Sequence, residues 1–237
     1  MPNASPAPAG PCGEYACELC HDFGFVHPVN GDRPDYTRLE PCRCAVAEIE
    51  RKRQQALLRC CELPASTEKW TLDRFEVYPA VEAAYAAARE LADESGPLRW
   101  LTLCSGVDNG KTHLAVGICR RWLARGKAAR YGWVPLLMDE LKRGMHSEEY
   151  DKRFEMLLNV PLLVLDDLGV ENPTPWVNER LETIIDYRYA RNLPLAITTN
   201  LPLAQLRIRI ASRIQRMENS RVIVITAPEY RTRRDRP

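Results

Sequence analysis

The run Ser105-Gly106-Val107-Asp108-Asn109-Gly110-Lys111-Thr112 constrains the fold more than any other stretch of this chain. An apolar, strand-like run, Trp100-Leu101-Thr102-Leu103-Cys104, leads into it. Leu114, Ile118 and Leu123 lead out of it with the spacing of one helix face. A glycine-bearing loop between a strand and a helix, ending Gly-Lys-Thr, reads as a phosphate cradle. Glycines let backbone N–H groups turn inward, and the helix N-terminus adds its positive end. Lys111 then supplies a cation to the β- and γ-phosphates, and the Thr112 hydroxyl a ligand to Mg²⁺. The contact set runs from Ser105 through Thr112 to His113. Two residues depart from the usual G-x-x-x-x-G-K-[ST] pattern. Ser105 stands in place of the first glycine, with Gly106 one step later, and Asp108 puts a carboxylate where phosphate belongs, which is repulsive unless it is turned away or paired. The bland alternative is an ordinary Gly-Lys-Thr turn.

Strands and helices alternate around this loop. Strand-like runs fall near residues 99–104, 130–134, 161–166, 194–199 and 222–226, and helical runs near 111–125, 136–143, 148–159, 176–191 and 203–217. Such alternation predicts a parallel sheet sandwiched by helices. Val160 to Leu165 is apolar throughout, as in a central parallel strand, and ends in Asp166-Asp167. Carboxylates there sit at the ligand edge of an open α/β sheet. Asp166 is placed to hold Mg²⁺ and Asp167 to polarise an attacking water. The next apolar run, Leu195 to Thr199, ends at Asn200, which is placed to sense the γ-phosphate or orient that water. An Asx turn before Leu201-Pro202 is the competing role. The segment Trp70 to Phe75 reads as an aromatic lead-in, either over a nucleotide base or into the core.

Nine cysteines are many for a chain expected in a reducing compartment, where clusters read as metal sites before disulfides. Cys17-x-x-Cys20 and Cys42-x-Cys44 supply four thiolates, the complement of a structural Zn²⁺ site, with a small hairpin between the pairs. His21 and His27 are alternative ligands, and Cys12 lies off the spacing. Cys60, Cys61, Cys104 and Cys119 read as small hydrophobes. A module this small depends on metal for much of its folding free energy. The chain therefore divides into a Pro/Ala-rich disordered tail over 1–11, a zinc module with linker helix over 12–62, and an α/β domain over 63–237. No apolar run reaches the ~20 residues of a membrane span, and the N-terminus has no signal-peptide pattern, so the expected location is cytoplasmic. With 33 basic and 32 acidic residues, any nucleic-acid contact rests on local patches.

The GKTHLA run at Gly110–Ala115, Leu-Asp-Asp-Leu-Gly at Leu165–Gly169 and Thr-Thr-Asn at Thr198–Asn200 together resemble the AAA+ ATPases of the DnaC/DnaI helicase-loader and IstB transposition group. The segment Ile210–Met217 is similar to that group's arginine-finger segment, which makes Arg213 the implied finger among Arg207, Arg209, Arg213 and Arg216. Tyr230-Arg231 resembles the terminal motif, and the resemblance covers about residues 63–231. It implies an AAA+ sheet without a helical lid domain, hydrolysis of ATP with Mg²⁺, and a homo-oligomer with ATP between subunits. It also implies single-stranded DNA binding by the ATPase part, and a replicative helicase bound through the zinc module. Two alternatives share the core: a transposition ATPase that assembles on DNA and directs a transposase, and a nucleotide-binding adaptor with little hydrolysis. Lys142, Arg143 and the arginines from Arg207 onward are the candidate phosphate contacts to DNA.

Overall fold

Five strands form one parallel sheet. In chain order these are β5 (Trp100–Cys104), β6 (Ala129–Trp133), β7 (Leu162–Asp166), β8 (Leu195–Thr199) and β9 (Ser220–Val224), following four short strands given below. They lie in the order β6-β7-β8-β5-β9, and every pairing is parallel. Every residue of β5, β7 and β8 is buried, which explains why these runs show no polar alternation. The computed structural model describes residues 15–31, 33–145 and 147–226. The expected tail, Cys12 and Tyr230-Arg231 lie outside the described residues.

Successive side chains of a strand point to opposite faces, and the two cores follow that rule. Leu162 and Val164 enter one core with helices α2 (Glu82–Asp93) and α3 (Lys111–Ala124). Leu163 and Leu165 enter the other with α4 (Val134–Gly144), α5 (Glu148–Asn159), α6 (Pro175–Ala190) and α7 (Ile208–Arg216). Local signals set the helix ends. Glu94 adopts a left-handed φ of 50° after α2, and Gly110 one of 78° before α3. The Thr174 hydroxyl accepts from the Val177 N–H at 3.2 Å, with Pro175 at the first turn of α6.

The expected single helix over 203–217 is corrected by the structure. A 3-10 turn spans Leu203–Gln205, Leu206 and Arg207 are extended with ψ of 157° and 132°, and only then does α7 begin. No glycine or proline lies in this stretch. The cause is tertiary. The extended step carries Leu206 onto the turn at Gly169, where a Cβ would lie 3.3 Å from Leu206 Cδ2 and 2.6 Å from Leu201 Cδ1. Leu206, Ile210, Ile214 and Met217 are all buried nonetheless, although the helix is not continuous.

The chain divides into two compact units between Arg53 and Gln54, within helix α1 (Arg43–Cys61). In the first unit β1 (Phe25–Val26) pairs antiparallel with β4 (Glu40–Pro41), and β2 (Val29–Asn30) with β3 (Arg33–Pro34). These nested pairs are the hairpin expected between the cysteine pairs. No helix among the described residues is long and apolar enough to cross a membrane.

Candidate functional site: a phosphate loop, two acids and a four-thiol cluster

The loop after β5 turns on Asp108 (φ 59°) and Gly110 (φ 78°), so the first turn of α3 opens beneath it. At Gly110 a side chain would also strike the Phe75 ring, 2.8 Å from the ideal Cβ. Lys111 is buried, and its Nζ donates to Ser105 O (3.2 Å), Ser105 Oγ (2.9 Å) and Gly106 O (2.5 Å). Burial pushes the ammonium below its usual range, and the carboxylates of Asp167 and Asp166 act in the opposite sense.

Asp166 ends β7 and is 2% exposed. Three hydroxyls donate to its carboxylate: Thr198 at 2.5 Å and Thr112 at 3.2 Å to Oδ1, and Tyr131 at 2.6 Å to Oδ2. Burial pushes this carboxyl above the usual range, with the Thr198 and Tyr131 bonds pulling the other way. The Tyr131 phenol is pushed up by burial and by Asp166. Asp167 follows with a left-handed φ of 60° that swings it away from the strand direction. Its N–H donates to Thr198 Oγ1 at 2.9 Å. Asn200 Nδ2 donates to its Oδ1 and Trp133 Nε1 to its Oδ2, each at 3.3 Å. The turn after Asn200 closes on Thr199, whose Oγ1 accepts from Leu201 N at 3.0 Å. The Asn200 side chain thus faces the acids and leaves the turn to Thr199.

Part of this set opens on one cavity of about 540 Å³, and Ser105, Gly106 and Asp166 are not among the residues lining it. Val107, Asp108, Asn109, Gly110, Lys111, Thr112 and His113 line it from the loop, with Asp167 and Asn200 opposite. Trp70, Arg74, Phe75, Glu76 and Tyr78 close another side. Trp70 stacks on His113 (5.6 Å between centroids), Phe75 meets it edge-on (5.2 Å), and its Nε2 bonds Thr71 O at 3.0 Å. Trp70 and Phe75 line the cavity and also pack on the core, the second of the two expected roles. Burial holds the His113 imidazole below its usual range. The donor set fits a nucleoside triphosphate with a hard cation: a lysine, a hydroxyl and a carboxylate on one strand–loop–helix edge.

Arg213 is not among the residues lining this cavity. Its Nε donates to Asp186 Oδ1 at 2.6 Å, and its guanidinium lies 4.8 Å from the Tyr189 ring centroid. Arg209 also pairs with Asp186, and Arg207 with Glu182. Burial of Asp186 raises its affinity for a proton, but Arg213 and Arg209 outweigh it and hold the carboxyl below the usual range. The basic run of α7 is thus largely matched by acids of α6.

In the first unit the Sγ atoms of Cys17, Cys20, Cys42 and Cys44 all lie within 4.8 Å of one another. The Cys17–Cys42 and Cys20–Cys44 pairs are 3.6 and 3.4 Å apart. Tetrahedral zinc with sulfurs at about 2.3 Å requires S···S separations of about 3.8 Å, so the thiols fit that ion. Backbone N–H groups of Cys20 and Leu19 lower Cys17 to about 6, while hydrogen bonding with Cys20, Cys17 and Cys42 pushes the Cys44 thiol up. Neither histidine joins the cluster: His21 stacks on Tyr15, and His27 bonds Arg38 O. Cys61, Cys104 and Cys119 are buried as expected, and Cys60 is exposed.

Thr198, inside the Thr-Thr-Asn run, has a bonding role that the motif does not announce, and Tyr131 and Trp133 are site residues that motif reading misses. Their signal is register: Trp133 of β6 pairs with Asp166, which places the end of β6 beside the acids.

Comparison with known proteins agrees with this geometry. The IstB-like ATP binding protein family matches residues 46–213. The replicative helicase loader DnaI of Bacillus subtilis is 25% identical over 191 residues, 76% of this chain and 60% of that protein. The replicative helicase loader DnaC of Escherichia coli is 27% identical over 157 residues, 63% of this chain and 64% of that one. A crystal structure of the DnaC helicase loader superposes with a TM-score of 0.61 at 27% identity, over 68% of this chain and 99% of that chain. The chain thus spans under two thirds of the length of the two full loaders. The sheet is of the AAA+ type expected from the motifs, and the chain belongs to the IstB-like ATP-binding protein family.

Proposed function

We propose that this protein is an ATP-hydrolysing loader of a replicative DNA helicase. The observation that carries the reading is the meeting of Lys111, Thr112, Asp167 and Asn200 on one cavity, with Asp166 bonded to Thr112 behind it. Lys111 would meet the β- and γ-phosphates, and Thr112 with Asp166 would hold Mg²⁺, whose charge would offset that of the phosphate oxygens. Asp167 polarises the attacking water, and Asn200 aims Asp167. Arg213 does not line its own cavity and acts instead on the nucleotide of a neighbouring subunit in a homo-oligomer. Residues 12–62 form the zinc-holding, helicase-binding part and residues 63–237 the ATPase part. Lys142 and Arg143, in the last turn of α4, contact single-stranded DNA. The names of the two loader relatives supply the helicase and replication half of the reading.

The deciding experiment is ATP hydrolysis by zinc-loaded protein, with and without single-stranded DNA. We expect DNA-stimulated turnover that Lys111→Ala and Asp166→Ala each reduce by about a hundredfold or more, the usual cost of one transition-state contact. Nucleotide binding without turnover, even with helicase added, would favour the adaptor. The family match favours a transposition ATPase as second reading. Stimulation by duplex DNA, with no effect of helicase, would select it.

A further inference from the structure

Lys111 is fully engaged by the loop it serves. An ammonium has three protons, and Nζ has three acceptors within 3.2 Å. Two are the carbonyls of Ser105 and Gly106, which any residues at those positions would offer. The third is the Ser105 hydroxyl, present only because serine stands where the phosphate-loop pattern has glycine. That hydroxyl in turn donates to Gly106 O at 3.0 Å. Ser105 is fixed from the sheet as well, its N–H donating to Thr199 O at 3.2 Å. Both residues are buried, Lys111 at 5% and Ser105 at 8% exposure, where a hydrogen bond is worth more than in water.

We propose that Ser105 is a positioning residue: its hydroxyl anchors the Lys111 ammonium to the loop and sets how readily that cation transfers to a phosphate chain. This rests on the ATP-binding reading. A phosphate oxygen must take over protons that the loop already uses, so each acceptor on the loop competes with the nucleotide. The carbonyls compete in every such loop, and the hydroxyl is this chain's addition. The effect acts on capture of the phosphates, before transition-state charge develops.

The test compares Ser105→Ala, which deletes the hydroxyl without adding backbone freedom, with Ser105→Thr, which keeps it. Binding of ATP, ADP and AMP is measured by calorimetry, alongside KM and kcat for ATP. Ser105→Ala is expected to tighten ATP and ADP by about three- to tenfold, the net worth of one ordinary hydrogen bond. KM falls with it while kcat holds, AMP binding is unchanged for want of a β-phosphate, and Ser105→Thr behaves as wild type. ATP binding unchanged or weaker in Ser105→Ala overturns the proposal. An equal shift for AMP also overturns it, because the effect would then be general loosening of the loop. Lys111→Ala separates the two readings. If it leaves ATP binding intact, the ATP-site reading itself fails. If it abolishes binding while Ser105→Ala changes nothing, only the role of Ser105 fails.

Discussion

A buried carboxylate survives only if its oxygens are bonded, and Asp166 solves this with hydroxyls from Thr112, Thr198 and Tyr131. Thr198 does double duty, since its oxygen also accepts from the Asp167 N–H. Thr198→Val keeps the shape and deletes both bonds. We expect a loss of about 1–3 kcal/mol in urea unfolding, the cost of stripping partners from buried polar groups. Asp167 differs, because its two oxygens accept long bonds from Asn200 and Trp133 at a partly exposed edge. Trp133→Phe is expected to lower turnover about three- to tenfold with KM unchanged, because one of the two donors aiming the carboxylate is gone. Equal losses in kcat and in nucleotide affinity would count against that role. Lys111, Thr112, Asp166, Asp167 and Asn200 were legible in the sequence because each ends or follows an apolar run or a glycine loop. Tyr131 and Trp133 were not. They come from another strand, and only the lateral register β6–β7 brings them to the acids.

At the scale of elements, β5, β7 and β8 are readable because burial on both faces leaves an unbroken apolar run, while residues 203–207 read as helix because burial alone mimics helical spacing. Leu203 and Leu206 have the right intervals, yet they reach the core from a 3-10 turn and an extended step. A less visible device is Arg188 of α6, which is wholly buried. It donates to the carbonyls of Leu157, Leu158 and Val160 at the end of α5, and to Pro161 and Pro194 just before β7 and β8. Burial drags its guanidinium down to about 9. One side chain thus caps a helix and ties together the starts of two strands whose far ends carry the acids and Asn200. Arg188→Met would leave those carbonyls dry. The expected loss is about 3–5 kcal/mol, read from a fall in the thermal midpoint. A shift within the range of surface substitutions would refute that role. No sequence motif announces such a residue, because its partners are all backbone.

At the scale of the whole molecule, two units with different sources of stability share one chain. Residues 54–226 bury two large apolar cores. The first unit leaves Phe23, Val29, Tyr36 and Leu39 largely exposed and gathers its four thiols instead. Zinc removal is expected to unfold that unit alone. With chelator, limited proteolysis should cut N-terminal to residue 54 and leave a resistant remainder, and zinc should restore protection. Cleavage spread evenly along the chain would contradict it. The cysteine spacing made the cluster legible, but four thiols suggest a metal without saying what the exposed apolar residues beside it meet. The sheet carries a last consequence. Ser105, Asp166, Asp167 and Asn200 stand at or just past the ends of β5, β7 and β8, three adjacent parallel strands buried on both faces. One residue inserted into any of them would shift its tip by about 3.3 Å and turn its side chains to the opposite face. The site is therefore more vulnerable to changes of length than of letter. Insertions within 100–104, 162–166 or 195–199 should be lethal to function, whereas the turn between α4 and α5 can absorb them.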